Sequence, residues 1–307
     1  VIAGLLGAAM VAQTIRMAVP YVCAGLGGVW SERSGVVNIA LEGILLAGGL
    51  AGVAGHLATG SASAGLLAGA AMGAILGATH ALLVVYGGID AIVSGLAINL
   101  AAAGGTRLLL RALYASSSNS PSIAGFPVAV SGPSDAALLL RTILDPTTLV
   151  AAALVAWSAW SLAQTRLGLR VRACGESPTA AASAGVDVRR VRLAAVTLGG
   201  AIAGLGGVAL AYDQHRFQSG MSGGRGFIAL AAVILSGWRP GLAATACVAF
   251  AALDAAQILV QQQTGSAASF APMLPYGATL VGLWLVAKRR ATRGGTGRAP
   301  AALGREL

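Results

Sequence analysis

Apolar residues run along this chain in long stretches that polar groups interrupt only at intervals. Nine runs are long and apolar enough to be read as membrane-crossing or re-entrant helices: roughly 10–30, 36–56, 63–86, 90–113, 146–165, 193–212, 220–237, 241–262 and 271–287. A helix that crosses the hydrocarbon core needs about 20 mainly apolar residues. The runs 36–56 and 220–237 are the two that could be broken or re-entrant. Asp90 before Ala91, and Asp145 before Pro146, predict helix starts, because Asp caps free N–H groups and Pro suits the first helical position. Pro240, after Trp238 and Arg239, marks a sharp break between two spans. The stretch 114–134 is rich in Ser, Pro and Gly and too polar to lie in lipid.

Composition narrows the class. Of 307 residues, 56% are hydrophobic and 10% charged, too few charges to coat a water-facing domain, which usually carries about a quarter. The chain is therefore expected to be an all-α polytopic membrane protein of about 8–9 transmembrane or re-entrant helices, built over residues 1–287. The net charge of +10 comes from nineteen Arg and the single Lys288 against ten acidic residues. Arg166, Arg170, Arg172, Arg189, Arg190 and Arg192 crowd one segment, and Lys288, Arg289, Arg290, Arg293, Arg298 and Arg305 crowd the tail. Such clusters mark cytoplasmic segments of a multi-pass protein, and no basic face of a folded soluble module suggests nucleic acid. Both 166–192 and a basic, disordered tail over 288–307 are thus placed in the cytoplasm, and 114–134 outside. Cys23, Cys174 and Cys247 are scattered without metal or redox spacing.

Polar groups inside spans are costly and call for a reason. Asn38 and Glu42 are four residues apart and share a helix face, flanked by Gly35 and Gly43. They are either a polar stripe on a broken helix facing a central path, or hydrogen-bonding glue between helices. Asn99, close to Ser94 and Gly95, poses the same choice. His56 and His80 have no partner at metal spacing and read as interfacial or packing residues. Asp213, His215 and Arg216 read as a solvated loop.

Within 166–192, Ser177-Pro178 predicts a helix start and Gly185 a stop, so a short small-residue helix lies between two Arg-rich arms. A helix this poor in apolar bulk does not hold itself in water. It either docks in a groove of another protein or is an ordinary basic loop. No G-x-x-x-x-G-K-[ST] phosphate loop, H-E-x-x-H or G-x-S-x-G occurs, and neither catalytic nor metal-binding residues nor a cofactor is expected.

The run ERSGVVNIALEGILLAGG (32–49) resembles the signature of permease subunits of ATP-binding cassette (ABC) importers for nucleosides and simple sugars, a group that includes branched-chain amino acid and ribose permeases. The resemblance continues through IVSGLAINLAAAG (92–104), GLRVRACGESPTAAASAGVD (168–187), GGAIAGLGGVAL (199–210), GRGFIALAAVILSGWRPGLAA (224–244) and LPYGATLVGLWLV (274–286), in the expected order. Ala40, Cys174 and Ser177 depart from the pattern. The early ERSG motif is most like the shorter of the two permeases that pair in nucleoside importers.

The resemblance implies a non-catalytic subunit in the plasma (inner) membrane that takes in nucleosides, with simple sugars or branched-chain amino acids as alternatives. A secondary transporter is a further alternative that would not need a coupling segment. It implies a cytoplasmic ABC ATPase, a second permease subunit in a heterodimer, and an extracytoplasmic binding lipoprotein. Gly175, Glu176, Ser177, Ala180, Ala181 and Gly185 match the segment that couples to the ATPase, and Asn38, Glu42 and Asn99 are candidates for lining the substrate path. GRGFIALAAVIL resembles a second-half counterpart of GVVNIALEGILL, which implies an internal repeat.

Overall fold

The computed structural model describes residues 7–263 apart from 129, 131 and 133, together with 273, 277–282, 284, 288 and 299–304. Every regular element among them is helical: α1 Ala8–Arg33, α2 Leu41–Thr59, α3 Ala62–Ala81 with a π-helical turn Leu82–Tyr86, α4 Ala91–Tyr114, α5 Asp135–Ile143, α6 Pro146–Gln164, α7 Arg166–Glu176, α8 Pro178–Ser183, α9 Val188–Asp213, α10 Arg225–Ser236 and α11 Pro240–Gln263. Seven of these, α1–α4, α6, α9 and α11, are long and apolar enough to cross a membrane, and α10 is a shorter apolar helix. The two runs that could be broken are both shorter than their apolar stretch: α2 begins only at Leu41, and α10 is 12 residues long. Most of the expected run 271–287, and most of the tail, lie outside the described residues.

The predicted caps form. The Asp90 side chain accepts from the N–H groups of Ile92 and Val93, and Asp145 from that of Thr147 with Pro146 in the first turn. The helix α5 follows the polar stretch 114–134 and is capped by Ser134. It is short and amphipathic, and no apolar run announces it.

The spans α1 and α9 form the centre. Their apolar windows are 67% buried, against 28% for α4 and α11 and 22% for α6, which turn most of their surface outward. On α3, Gly65, Gly69, Gly73 and Gly77 recur every fourth residue and are buried, giving a face on which backbones meet. A Cβ on Gly73 would collide with the Gly200 carbonyl and lie 2.8 Å from the Gly204 Cα on α9, and one on Gly48 would lie 2.7 Å from that same atom. Close approach of this kind supplies the van der Waals contact that holds helices together where lipid removes the hydrophobic drive. On the other flank of α1, Trp30 stacks on Trp157 with ring centroids 5.2 Å apart and donates to the Ser158 hydroxyl at 3.0 Å, which locks α6 against the centre.

Candidate functional site

Polar chemistry concentrates where the helices are interrupted. Between α1 and α2 the chain leaves helical geometry over residues 34–40, with Gly35 at φ +99°. A buried backbone without its own helical bonds needs partners, and side chains from other helices supply them. The Arg192 Nε donates to the Ser34 carbonyl at 3.1 Å. The His80 Nε2–H donates to the Val37 carbonyl at 2.9 Å, which leaves Nδ1 to accept from the Ser94 hydroxyl at 2.9 Å. Asn99 uses both ends of its amide: Nδ2 donates to the Ile39 carbonyl at 2.9 Å, and Oδ1 accepts from the Gly43 N–H at 2.8 Å. Asn38 lies inside the break, fully buried, and its Nδ2 donates to the Ser31 hydroxyl at 3.0 Å. Asn38 and Glu42 thus do not share a helix face, because α2 starts between them, at Leu41.

Glu42 joins this break to the second one. Its two carboxylate oxygens accept from the backbone N–H groups of Gly224 and Gly226, each at 2.7 Å. The N-terminus of α10 has no side-chain cap of its own, so a residue in the first turn of α2 caps it from 182 positions away in the chain. A carboxylate there satisfies two free N–H groups and faces the positive end of the α10 dipole. The two helix starts approach so closely that a Cβ on Gly226 would lie 2.5 Å from the Glu42 nitrogen. Asn38, Glu42 and Asn99 are therefore gathered at one place, the crossing of two interrupted helices.

Sequence reasoning passed over a second polar cluster. Arg225, the first residue of α10, lies 3.4 Å from Asp254 of α11, and the Tyr21 hydroxyl of α1 donates to the same carboxylate oxygen at 2.8 Å. Asp213, expected in a solvated loop, pairs with Arg16 at 3.5 Å. Arg16 and Asp213 line a cavity of about 320 Å³ that Arg141, Asp145, Tyr212 and His215 also border, at the end of the molecule opposite the Arg-rich segment. Ser120 and Ile123 of the 114–134 stretch bond to the Phe217 and His215 carbonyls beside it. No signal in the sequence linked these residues, since their partners lie on separate helices far apart in the chain. His56 hydrogen-bonds the Tyr212 hydroxyl at 3.3 Å, and among the described residues no group of acidic, His and Cys side chains could hold a metal.

At the arginine-rich end, Ser177 caps α8 by accepting from the Ala180 N–H, Pro178 occupies its first turn, and Gly185 leaves it at φ +81°. The helix has an inner and an outer side. Ala181 is buried against Cys174 and Val188, whereas Ala180 and Ala182 are on the less covered side with Thr179 and Ser183. Burial pushes the Cys174 thiol up, so it stays protonated and inert. Gly175 is pressed against α1, where a Cβ would collide with the Arg33 carbonyl. Residues 299–304 fold back onto the same place: the Ala302 N–H donates to the Gly175 carbonyl at 2.9 Å, the Ala301 N–H reaches a Glu176 carboxylate oxygen at 3.4 Å, and the Gly304 N–H donates to the Gly35 carbonyl at 3.1 Å.

Residues 2–286 match the family described as branched-chain amino acid transport system / permease component. The chain is 33% identical to the nucleoside ABC transporter permease protein NupC of Lactococcus lactis subsp. cremoris, over 90% of this chain and 91% of that one. It is 34% identical to the guanosine ABC transporter permease protein NupQ of Bacillus subtilis over 75% of this chain and 76% of that one. It is 33% identical to the putative glucose ABC transporter permease protein TsgC13 of Haloferax volcanii over 84% and 78%. The chain belongs to the branched-chain amino acid transport system permease family, as a multi-pass, non-catalytic membrane subunit of an ABC transporter.

Proposed function

We propose that this chain is one of two permease subunits of an importer that brings nucleosides into the cell, driven by a separate ATPase that grips α8 in the cytoplasm. The observation that carries this reading is α8 itself. It is a capped helix of small residues whose inner side is fastened to its own chain and whose outer side is bare, and it leads through Asp187 directly into the central span α9. A partner that pulls on α8 therefore pulls on the middle of the membrane domain. ATP binding closes the partner ATPases, the α8 helices of the two permeases approach, and a solute delivered at the opposite end by an extracytoplasmic binding lipoprotein passes inward. The driving term is the ATPase's different affinity for the outward and inward states.

Glu42 bears on the path by holding the crossing of α2 and α10 through two backbone N–H groups, and Asn38 and Asn99 by fixing the break before α2, Asn38 to the Ser31 hydroxyl of α1 and Asn99 to the backbone of Ile39 and Gly43. The joint start of these two helices also supports reading α2 and α10 as counterparts in an internal repeat. The names of the Lactococcus and Bacillus relatives favour nucleosides, and those of the Haloferax relatives favour glucose as the second reading. Vesicles that carry the complete transporter separate the two. ATP-dependent guanosine uptake that unlabelled glucose fails to compete supports the first, and glucose uptake without guanosine uptake supports the second. Uptake that persists without ATP would overturn both.

A further inference from the structure

At the arginine-rich end a cleft of about 550 Å³ opens between the end of α6 and the start of α11. One side is apolar, with Leu162 of α6 and Leu242 of α11, and belongs to spans that turn most of their surface outward. The other side carries three guanidinium groups, those of Arg33, Arg172 and Arg239. The ion pairs among the described residues are Arg16–Asp213, Arg190–Asp187 and Arg225–Asp254, so none of the three cleft arginines has a carboxylate at ion-pair distance there. The Arg33 Nε donates to the Trp238 carbonyl at 2.8 Å, and the Arg172 Nη2 makes only a long contact of 3.5 Å with the Ala163 carbonyl. The Arg172 Nε is buried without a hydrogen-bond partner among the described residues. Burial disfavours the charge of Arg33 most, the nearby Glu176 favours it, and Arg172 and Arg239 each oppose it.

Three guanidinium groups beside an apolar wall, with Glu176 and the Trp238-bonded Glu32 near but no carboxylate at ion-pair distance, leave hydrogen-bond donors open to an anion at a membrane boundary. A phosphate diester suits them, because its oxygens accept from guanidinium forks in planar, charge-assisted bonds, and basic pockets between transmembrane helices recognise anionic headgroups in this way. A free anion would meet the charge and leave the exposed Leu242 uncovered, whereas an acyl chain covers it. We propose that this cleft binds the phosphate headgroup of an anionic phospholipid, with its acyl chains along α6 and α11.

The test uses the purified full-length chain in detergent, probed separately with phosphatidylglycerol, phosphatidylcholine and inorganic phosphate, and read by native mass spectrometry and thermal midpoint. Wild type is expected to retain phosphatidylglycerol over phosphatidylcholine and to gain a higher midpoint with it. The double variant Arg172→Gln, Arg239→Gln should weaken phosphatidylglycerol binding roughly 25-fold, at about a fivefold loss per arginine. Ala163→Trp, at an exposed position on the cleft, keeps the arginines and blocks the apolar side, so it should also lower retention; it decides the matter if the double variant fails to fold. Equal retention of the two lipids by wild type, or wild-type retention of phosphatidylglycerol by Ala163→Trp or by a folded double variant, would overturn the proposal. So would inorganic phosphate that alone raises the midpoint equally and displaces the lipid, which would mark a free-anion site.

Discussion

Replacing Glu42 by Gln preserves the size of the side chain and removes what its position demands. Both carboxylate oxygens accept, one from Gly224 and one from Gly226. A Gln side chain has one acceptor oxygen, and its NH₂ would face the second backbone N–H, donor against donor. A hydrogen bond to a charged group contributes about 1.5–3 kcal/mol, and a carboxylate at a helix N-terminus adds about 0.3–1 kcal/mol. The loss of one bond and of the charge therefore costs about 2–4 kcal/mol. That corresponds to a thermal midpoint lower by roughly 4–8 °C, at about 2 °C per kcal/mol for a large chain. The assay pairs a thermal melt of the purified protein with uptake in vesicles. Midpoint and uptake should fall together, with Glu42→Asp, too short to reach both donors, also lowered. An unchanged midpoint would refute the bridging argument, and lost uptake at an unchanged midpoint would mean that Glu42 meets the solute instead.

Other substitutions test the close-packed and exposed parts of the fold. Gly226→Ala drives a Cβ into the backbone of Glu42 and should cost at least about 1–3 kcal/mol, seen as lost yield and a lower midpoint. Gly104→Ala on α4 meets nothing within 4 Å and should leave the midpoint unchanged or raise it by the helix preference of Ala, about 1 kcal/mol. Ala180→Trp, on the outer side of α8, should leave the midpoint intact and abolish ATP-driven uptake, whereas Ala181→Trp, on the buried side, should lower the midpoint as well. Cys174 in the folded chain holds its proton more tightly than its ordinary value of 9.0 implies. The stability this provides is fully present below that value and is lost as the pH rises through the raised folded value; a midpoint series into alkaline pH should fall less steeply in Cys174→Ala.

The helical spans and their caps were legible because their causes are local. Asp90, Asp145 and Ser177 each bond to N–H groups two or three residues ahead, and the apolar runs carry their own length. The late start of α2 was not legible in its hydropathy. Residues 34–40 include an apolar Val-Val and Ile-Ala that blend into the helix, and the groups that replace their helical bonds come from Arg192, His80 and Asn99. Spacing placed Asn38 and Glu42 on one helix face; in the structure Asn38 lies before the helix and Glu42 within its first turn, and the partners of Glu42 lie in the second half of the chain. The helix α5 escaped notice because nine amphipathic residues do not form an apolar run. The α3 seam left a trace that went unread, four glycines at four-residue spacing.

That seam has a mechanical consequence. Where Gly69 and Gly73 meet Gly200 and Gly204, main chain rests on main chain, and such a contact has no rotamers through which it could yield or re-register. On the proposal that a partner pulls on α8, a pair of helices seated in this way would move as one body from Val188 toward Tyr212, and the bending would fall to less closely seated helices.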